Sequence, residues 1–205
     1  MVVTRLLGYS YRLIVLSNYQ LSWTQALQII VLWEFSSAIS PGIVGGSAAA
    51  FILLAKEKKI NAGKGTAMVL ATSYLDVLFY VLAAPFLWLF VKKSEVIPSH
   101  IDYVSGLHIQ YLFLGAYGLF LAWCILIFIG LFYKPQAIKM VVLWIFKLPG
   151  LLRYKNKVEN WGNNMVVAAS DFTNEPLSYW FKAFGGTLIA WVSRFLLVNF
   201  LILAL

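Results

Sequence analysis

From Gly65 to Val91 the chain runs for 27 residues with a single charge, Asp76. As a helix rising about 1.5 Å per residue, this run is about 40 Å long, against a hydrocarbon core of about 30 Å. It predicts a transmembrane helix that tilts or bends, and Pro85 offers the bend. A second run, Ile109 to Tyr133, carries no charge and closes on Tyr133 and Lys134. A third, Phe181 to Leu205, has Lys182 at its entry and Arg194 inside it. Aromatic and cationic residues at the ends of such runs are what a membrane interface selects.

A water-soluble fold is excluded by charge. Only 12% of the residues are charged and 61% are hydrophobic, with a mean hydropathy of +0.81. Soluble domains average about 25% charged residues, and so few charges cannot cover a wetted surface. The net charge of +8 would otherwise suggest nucleic acid. The cations instead fall in clusters between the apolar runs, so no nucleic-acid partner is expected. Lys56, Lys58, Lys59 and Lys64 crowd one loop, and Lys134, Lys139, Lys147, Arg153, Lys155, Lys157 and Lys182 another. The loop from Lys92 to His108 has only Lys92 and Lys93, offset by Glu95 and Asp102. The positive-inside rule places the first two loops in the cytoplasm and the third outside, as expected of a multi-pass protein of a cell (inner) membrane.

The stretch from Thr24 to Ala55 holds 32 residues and one charge, Glu34. An unbroken helix of that length would measure about 48 Å, too long for the bilayer core. The break is written as SPGIVGG. Ser40 suits an N-cap, Pro41 the first helical turn, and Gly42, Gly45 and Gly46 loosen the backbone around them. Two half-helices are expected, about 24–39 and 41–55, meeting near mid-membrane as a re-entrant pair. A helix beginning there leaves its first N–H groups unpaired and turns its positive dipole end inward, which favours an anion. Gly42, Gly46 and Ala50, four apart, are equally a small-residue stripe for close helix packing. The two readings are compatible.

Cytoplasmic amphipathic helices are expected after the second run. Val158, Trp161, Met165, Ala168 and Phe172 recur at helical spacing among Glu159, Asn160, Asn163, Asn164 and Asp171. The turn Thr173-Asn174-Glu175-Pro176 ends that pattern, and Gln136 to Leu152, aromatic and cationic, reads as interfacial.

Glu34, Asp76 and Arg194 lie inside apolar runs, where a charge costs roughly 2.5–3.5 kcal/mol or more unless it meets a partner or a wet cavity. All three are candidate site residues, and Asp76 with Arg194 is a candidate ion pair. His100, Asp102 and His108 share the external loop without the spacing of a metal site, and the lone Cys124 allows no cysteine cluster or disulfide. No metal or cofactor is expected. The start carries Arg5 and Arg12 but neither a long apolar region nor a cleavage site, so no signal peptide is read. Nucleotide-binding, hydrolase and metalloprotease patterns are not found, and the segment is not expected to be an enzyme.

The segment FSSAISPGIVGGSAAAFILLAKEKKINAGKGTAMVLATSYLDVLFY resembles the flippase-like domain, the transmembrane region of lysylphosphatidylglycerol synthases and their stand-alone relatives. The pattern is a helix, a Pro-Gly-x-x-Gly-Gly break, a short helix ending in a basic loop, and a helix with Arg-x-x-Asp near its middle. Pro41, Gly42, Gly45, Gly46 and Asp76 fit it, and Trp191, Arg194 and Phe195 resemble a later helix of the family. Many members carry Glu after the glycine pair, Arg three residues on, and Arg in the Arg-x-x-Asp; this chain has Ser47, Ala50 and Ser73. The similarity spans about 10–205 and implies one flippase-like domain over 1–205, incomplete at both ends, with an N-terminal helix and a second Pro-Gly region lacking.

The family likeness implies an all-α, polytopic transmembrane bundle that moves an anionic lipid or lipid-linked intermediate between leaflets. The lipid would be an anionic phospholipid or a polyprenyl-phosphate conjugate. Its phosphate would lie at Ser40 to Ser47, with Glu34, Asp76 and Arg194 lining a polar path. The alternative is a module that anchors or presents lipid to a partner lipid-modifying enzyme.

Overall fold

The computed structural model describes residues 1–39, 43–57, 60–90, 103–104, 107–145 and 155–204. It is an all-α bundle. In chain order the helices are α1 (Val2–Leu16), α2 (Trp23–Ile39), α3 (Ile43–Lys56), α4 (Ala62–Phe90), α5 (Ile109–Phe128), α6 (Pro135–Ile145), α7 (Lys155–Asn174) and α8 (Leu177–Leu203). Tyr103–Val104 and Leu107–His108 form a two-residue antiparallel pairing before α5.

Among the described residues, three helical stretches are long and apolar enough to cross a membrane: Ala62–Phe90, Tyr111–Tyr133 and Leu177–Leu203. They match the three apolar runs, and α4 continues through Pro85 to Phe90. Their outer faces leave Leu89, Phe90, Leu114, Phe181 and Leu203 exposed. Apolar surface on this scale suits hydrocarbon, not water. The protein is a membrane protein.

The long run before α4 breaks as its length requires. Ser40, Pro41 and Gly42 lie outside the described residues, and helices end or begin on either side of them. Ser37 meets Gly46 near the break, while Gln25 donates from Nε2 to Glu57 Oε2 over 2.8 Å at the open end. Contacts at both ends make α2 and α3 an antiparallel hairpin of two short helices, about 26 and 21 Å long at about 1.5 Å per residue.

The charged N-terminal stretch, given no element from the sequence, forms α1 and packs along α8. Leu13, Val15 and Leu16 are fully buried in the core. Its end is a Schellman motif: Tyr19 N donates to Ile14 O and Asn18 N to Val15 O, with Asn18 left-handed at φ 56°. Asparagine tolerates that conformation better than most residues. Asn18 Nδ2 then donates to Glu175 Oε1 over 2.7 Å, tying this turn to the one between α7 and α8.

α7 buries the stripe its spacing predicts, with Met165, Ala168 and Phe172 in the core. It lies against the start of α4. Trp161 Nε1 donates to Thr66 Oγ1 over 2.9 Å, and a Cβ on Gly63 would come within 2.5 Å of Asn164 Cβ. α5 ends in a π-helical turn, Ile129–Tyr133, which buries Leu131 and hands the chain to α6 at Pro135. The sequence placed the interfacial helix over Gln136 to Leu152; α6 covers its first part, and 146–154 lie outside the described residues.

The lysine distribution predicts an orientation for the bundle, and labelling checks it. In a Cys124→Ser background, a cysteine at exposed Asn156 on α7 should react with a membrane-impermeant thiol reagent only from the cytoplasmic side. Labelling from outside would invert the topology.

Candidate functional site

An open cleft of about 1770 Å³ is lined mainly by α1, α2, α3, α4, α5 and α8, with Ile138 of α6 and Trp161 of α7 also contributing. That exceeds the roughly 300–1,000 Å³ of small-molecule pockets. Its walls are aromatic and aliphatic, including Trp33, Phe120, Trp123 and Trp191, and its charged lining among the described residues is Arg5, Arg12, Glu34, Asp76 and Arg194.

The deepest charge is Arg12, 3% exposed. Its Nη1 donates to Asp76 Oδ1 over 2.6 Å and to Thr187 Oγ1 over 3.1 Å, and its Nη2 reaches Asp76 Oδ2 at 3.4 Å. Thr187 can accept because its own hydroxyl donates to Ala183 O. The guanidinium also lies 4.9 Å from the centroid of Tyr9. A forked ion pair with further hydrogen bonds is the arrangement that makes a buried guanidinium tolerable. It knits α1, α4 and α8 together.

Close helix approach makes this reach possible. A Cβ on Gly8 would lie 2.8 Å from Gly186 O, and one on Gly186 would lie 2.8 Å from Gly8 O and 3.1 Å from Arg12 N. Only glycine at both crossing points brings Arg12 up to Thr187.

Asp76 Oδ1 accepts a second hydrogen bond, from Trp191 Nε1 over 2.8 Å. The indole stacks on Phe79, 5.8 Å between centroids and 12° between planes, and meets Tyr80 edge-on at 4.8 Å. Arg194, one turn of α8 away, lies with its guanidinium 5.1 Å from the Trp191 ring. This corrects the ion pair expected from the sequence. Asp76 pairs with Arg12, while Arg194 has no carboxylate partner among the described residues.

Glu34 pairs with Arg5, joining α1 to α2, and Arg5 Nε is buried with no hydrogen-bond partner among the described residues. Of the residues singled out in the sequence, Glu34, Ser47, Asp76 and Arg194 all line the cleft. Gly46 does not. It is buried against Ser37, whose Cβ stands 2.9 Å from where a Cβ on Gly46 would be, so it serves the α2–α3 contact. Gly45 belongs to α3, but its surroundings, like Ser40, Pro41 and Gly42, lie outside the described residues.

Arg5 and Arg12 are the charged cleft residues that sequence reasoning did not single out. They were noted only where a signal peptide was ruled out, yet they are seven apart, two helical turns, which places them on one face. The departure at Ser73 is the other signal: where relatives carry an arginine one turn before the aspartate, this chain has a serine. The guanidinium facing Asp76 comes from α1.

Among curated proteins and among solved structures, none significantly matches the chain. A family model does, over residues 1–205, extending the likeness seen in the sequence through α1 to the first residue. The chain therefore belongs to the lysylphosphatidylglycerol synthase TM region family.

Proposed function

We propose that this domain translocates an anionic lipid, or a lipid-linked intermediate, between the leaflets of the cell (inner) membrane as a multi-pass flippase-like protein. One observation carries the reading: a cleft of about 1770 Å³ lined by three arginines and two carboxylates, in which Arg194 alone lacks a carboxylate partner among the described residues. Charges at membrane depth are costly and are kept where they face substrate or water. Arg194 takes the lipid phosphate, with the aromatic walls against the glycerol and upper acyl chains. Ser47, at the start of α3, lines the same cleft and brings the neighbourhood of the break to the headgroup. The tails stay in the bilayer while the headgroup passes through the cleft. No covalent step is involved, so the role is transport and not enzymatic catalysis, and the drive is a lipid gradient or a coupling outside this segment.

The family's name attaches such a region to a synthase, which favours a second reading, a module presenting lipid to a lipid-modifying enzyme. Reconstitution separates the two. Vesicles carrying the protein should equilibrate tail-labelled phosphatidylglycerol between leaflets faster than protein-free vesicles, and Arg194→Gln should lower that rate by about tenfold, the equivalent of about 1.4 kcal/mol. Equal rates with and without protein would leave presentation standing in place of transport.

A further inference from the structure

The charges of the cleft do not cancel. Arg5 is closed on Glu34 and Arg12 on Asp76, so three guanidiniums against two carboxylates leave one positive charge on the described lining, and it resides on Arg194. That charge is held in place. Arg194 lies over Trp191, and Trp191 is fixed by its hydrogen bond to Asp76 and its stacking on Phe79.

Several of the cleft's hydroxyls are already committed. The hydroxyls of Ser37, Thr66 and Ser73 line the cleft, but each donates to a carbonyl one turn back: Ser37 to Trp33 O, Thr66 to Ala62 O and Ser73 to Val69 O. They are left as acceptors. A ligand with one negative charge makes the loaded cleft neutral, whereas one with two leaves it net negative or must prise open an ion pair. Unpaired charge is disfavoured where water is scarce.

Resting on the reading of the cleft as a headgroup site, we propose that it selects lipids by headgroup charge. It accepts phosphodiester monoanions and rejects phosphomonoester dianions and pyrophosphates. Glu34 and Asp76 set this limit by occupying the other two arginines.

Binding tests the selection without requiring transport. The full chain, in nanodiscs of phosphatidylcholine, is titrated with tail-labelled phosphatidylglycerol, a monoanion, or tail-labelled phosphatidate at alkaline pH, where it is a dianion. Phosphatidylglycerol should bind about tenfold more tightly. Glu34→Gln frees Arg5 and should bring phosphatidate to parity or better. Equal affinities of the unaltered protein for both lipids would overturn the proposal, as would a Glu34→Gln protein that is folded but still discriminates. If that variant does not fold, Arg194→Gln serves, and an undiminished affinity for phosphatidylglycerol would be equally fatal. Selective binding without leaflet exchange would uphold charge selection and remove the transport reading. Exchange of both lipids with equal affinity would do the opposite, and no binding of either would remove both.

Discussion

Replacing Arg12 by leucine should destabilise the folded protein by about 3–5 kcal/mol, the range for breaking a buried ion pair from one side. The change strands Asp76 with one remaining donor, Trp191 Nε1, and removes the donor to Thr187. Asp76→Leu strands Arg12 in turn, on a side chain that is 4% exposed. The double variant Arg12→Leu with Asp76→Leu should cost less than the two single changes together, since neither charge is then left alone. Denaturation in detergent, followed by tryptophan fluorescence and by folded yield, measures the cycle. Additivity would mean the pair is not in contact. Arg194→Gln is the contrast: losing an exposed cation over an indole should cost roughly 0.5–1 kcal/mol of stability, so its effect belongs to lipid transfer.

That contrast bears on what the sequence disclosed. The three spanning helices were legible because an uninterrupted apolar run has only one low-energy fate in a bilayer, a helix that satisfies its own backbone. The α2–α3 break was legible for the opposite reason: 32 residues exceed the membrane, and proline with three glycines marks the place. Glu34, Asp76 and Arg194 stood out as charges in apolar surroundings, and all three face one cleft. Partnership was not legible. Asp76 and Arg194 were matched as the visible opposite charges in two clear spans, but pairing depends on which helices touch, and α1 was not counted among them. At 15 residues with two arginines it does not read as a span, and those arginines close the ion pairs.

Helix contact also explains why only some glycines matter here. Gly115, Gly118 and Gly185 would each project a Cβ into open space. Gly8, Gly63 and Gly186 would each drive it against a neighbouring backbone. The SPGIVGG stripe drew attention as the place where glycine permits approach, and at Gly46 it does, to Ser37. Another close backbone approach lies between α1 and α8, where Gly186 and Ala190, four apart on α8, both meet Gly8; the sequence did not point to it because Gly8 comes from the opposite end of the chain.

Valine at Gly186 should therefore be among the most damaging single changes in the protein, while valine at its neighbour Gly185 should be nearly silent. At Gly186 the new Cβ meets Gly8 O at 2.8 Å and Arg12 N at 3.1 Å. These are backbone atoms of α1 that cannot rotate aside, so the helices must part. Overpacking of a fitted interior typically costs about 1–3 kcal/mol. Here the separation also draws Arg12 away from Thr187 and strains its fork to Asp76, so the loss should lie at or above the top of that range. Gly8→Val meets Gly186 O and Ala190 N from the other side and should match it. At Gly185 nothing lies within 4 Å of a Cβ, and valine there faces lipid or open space, with an expected change within about 0.5 kcal/mol. Folded yield and melting in detergent of the three variants form one experiment in which composition changes identically and only position differs. If Gly185→Val proved as harmful as Gly186→Val, helix propensity and not the α1–α8 contact would govern, and the placement of Arg12 beside Asp76 would lose its structural basis.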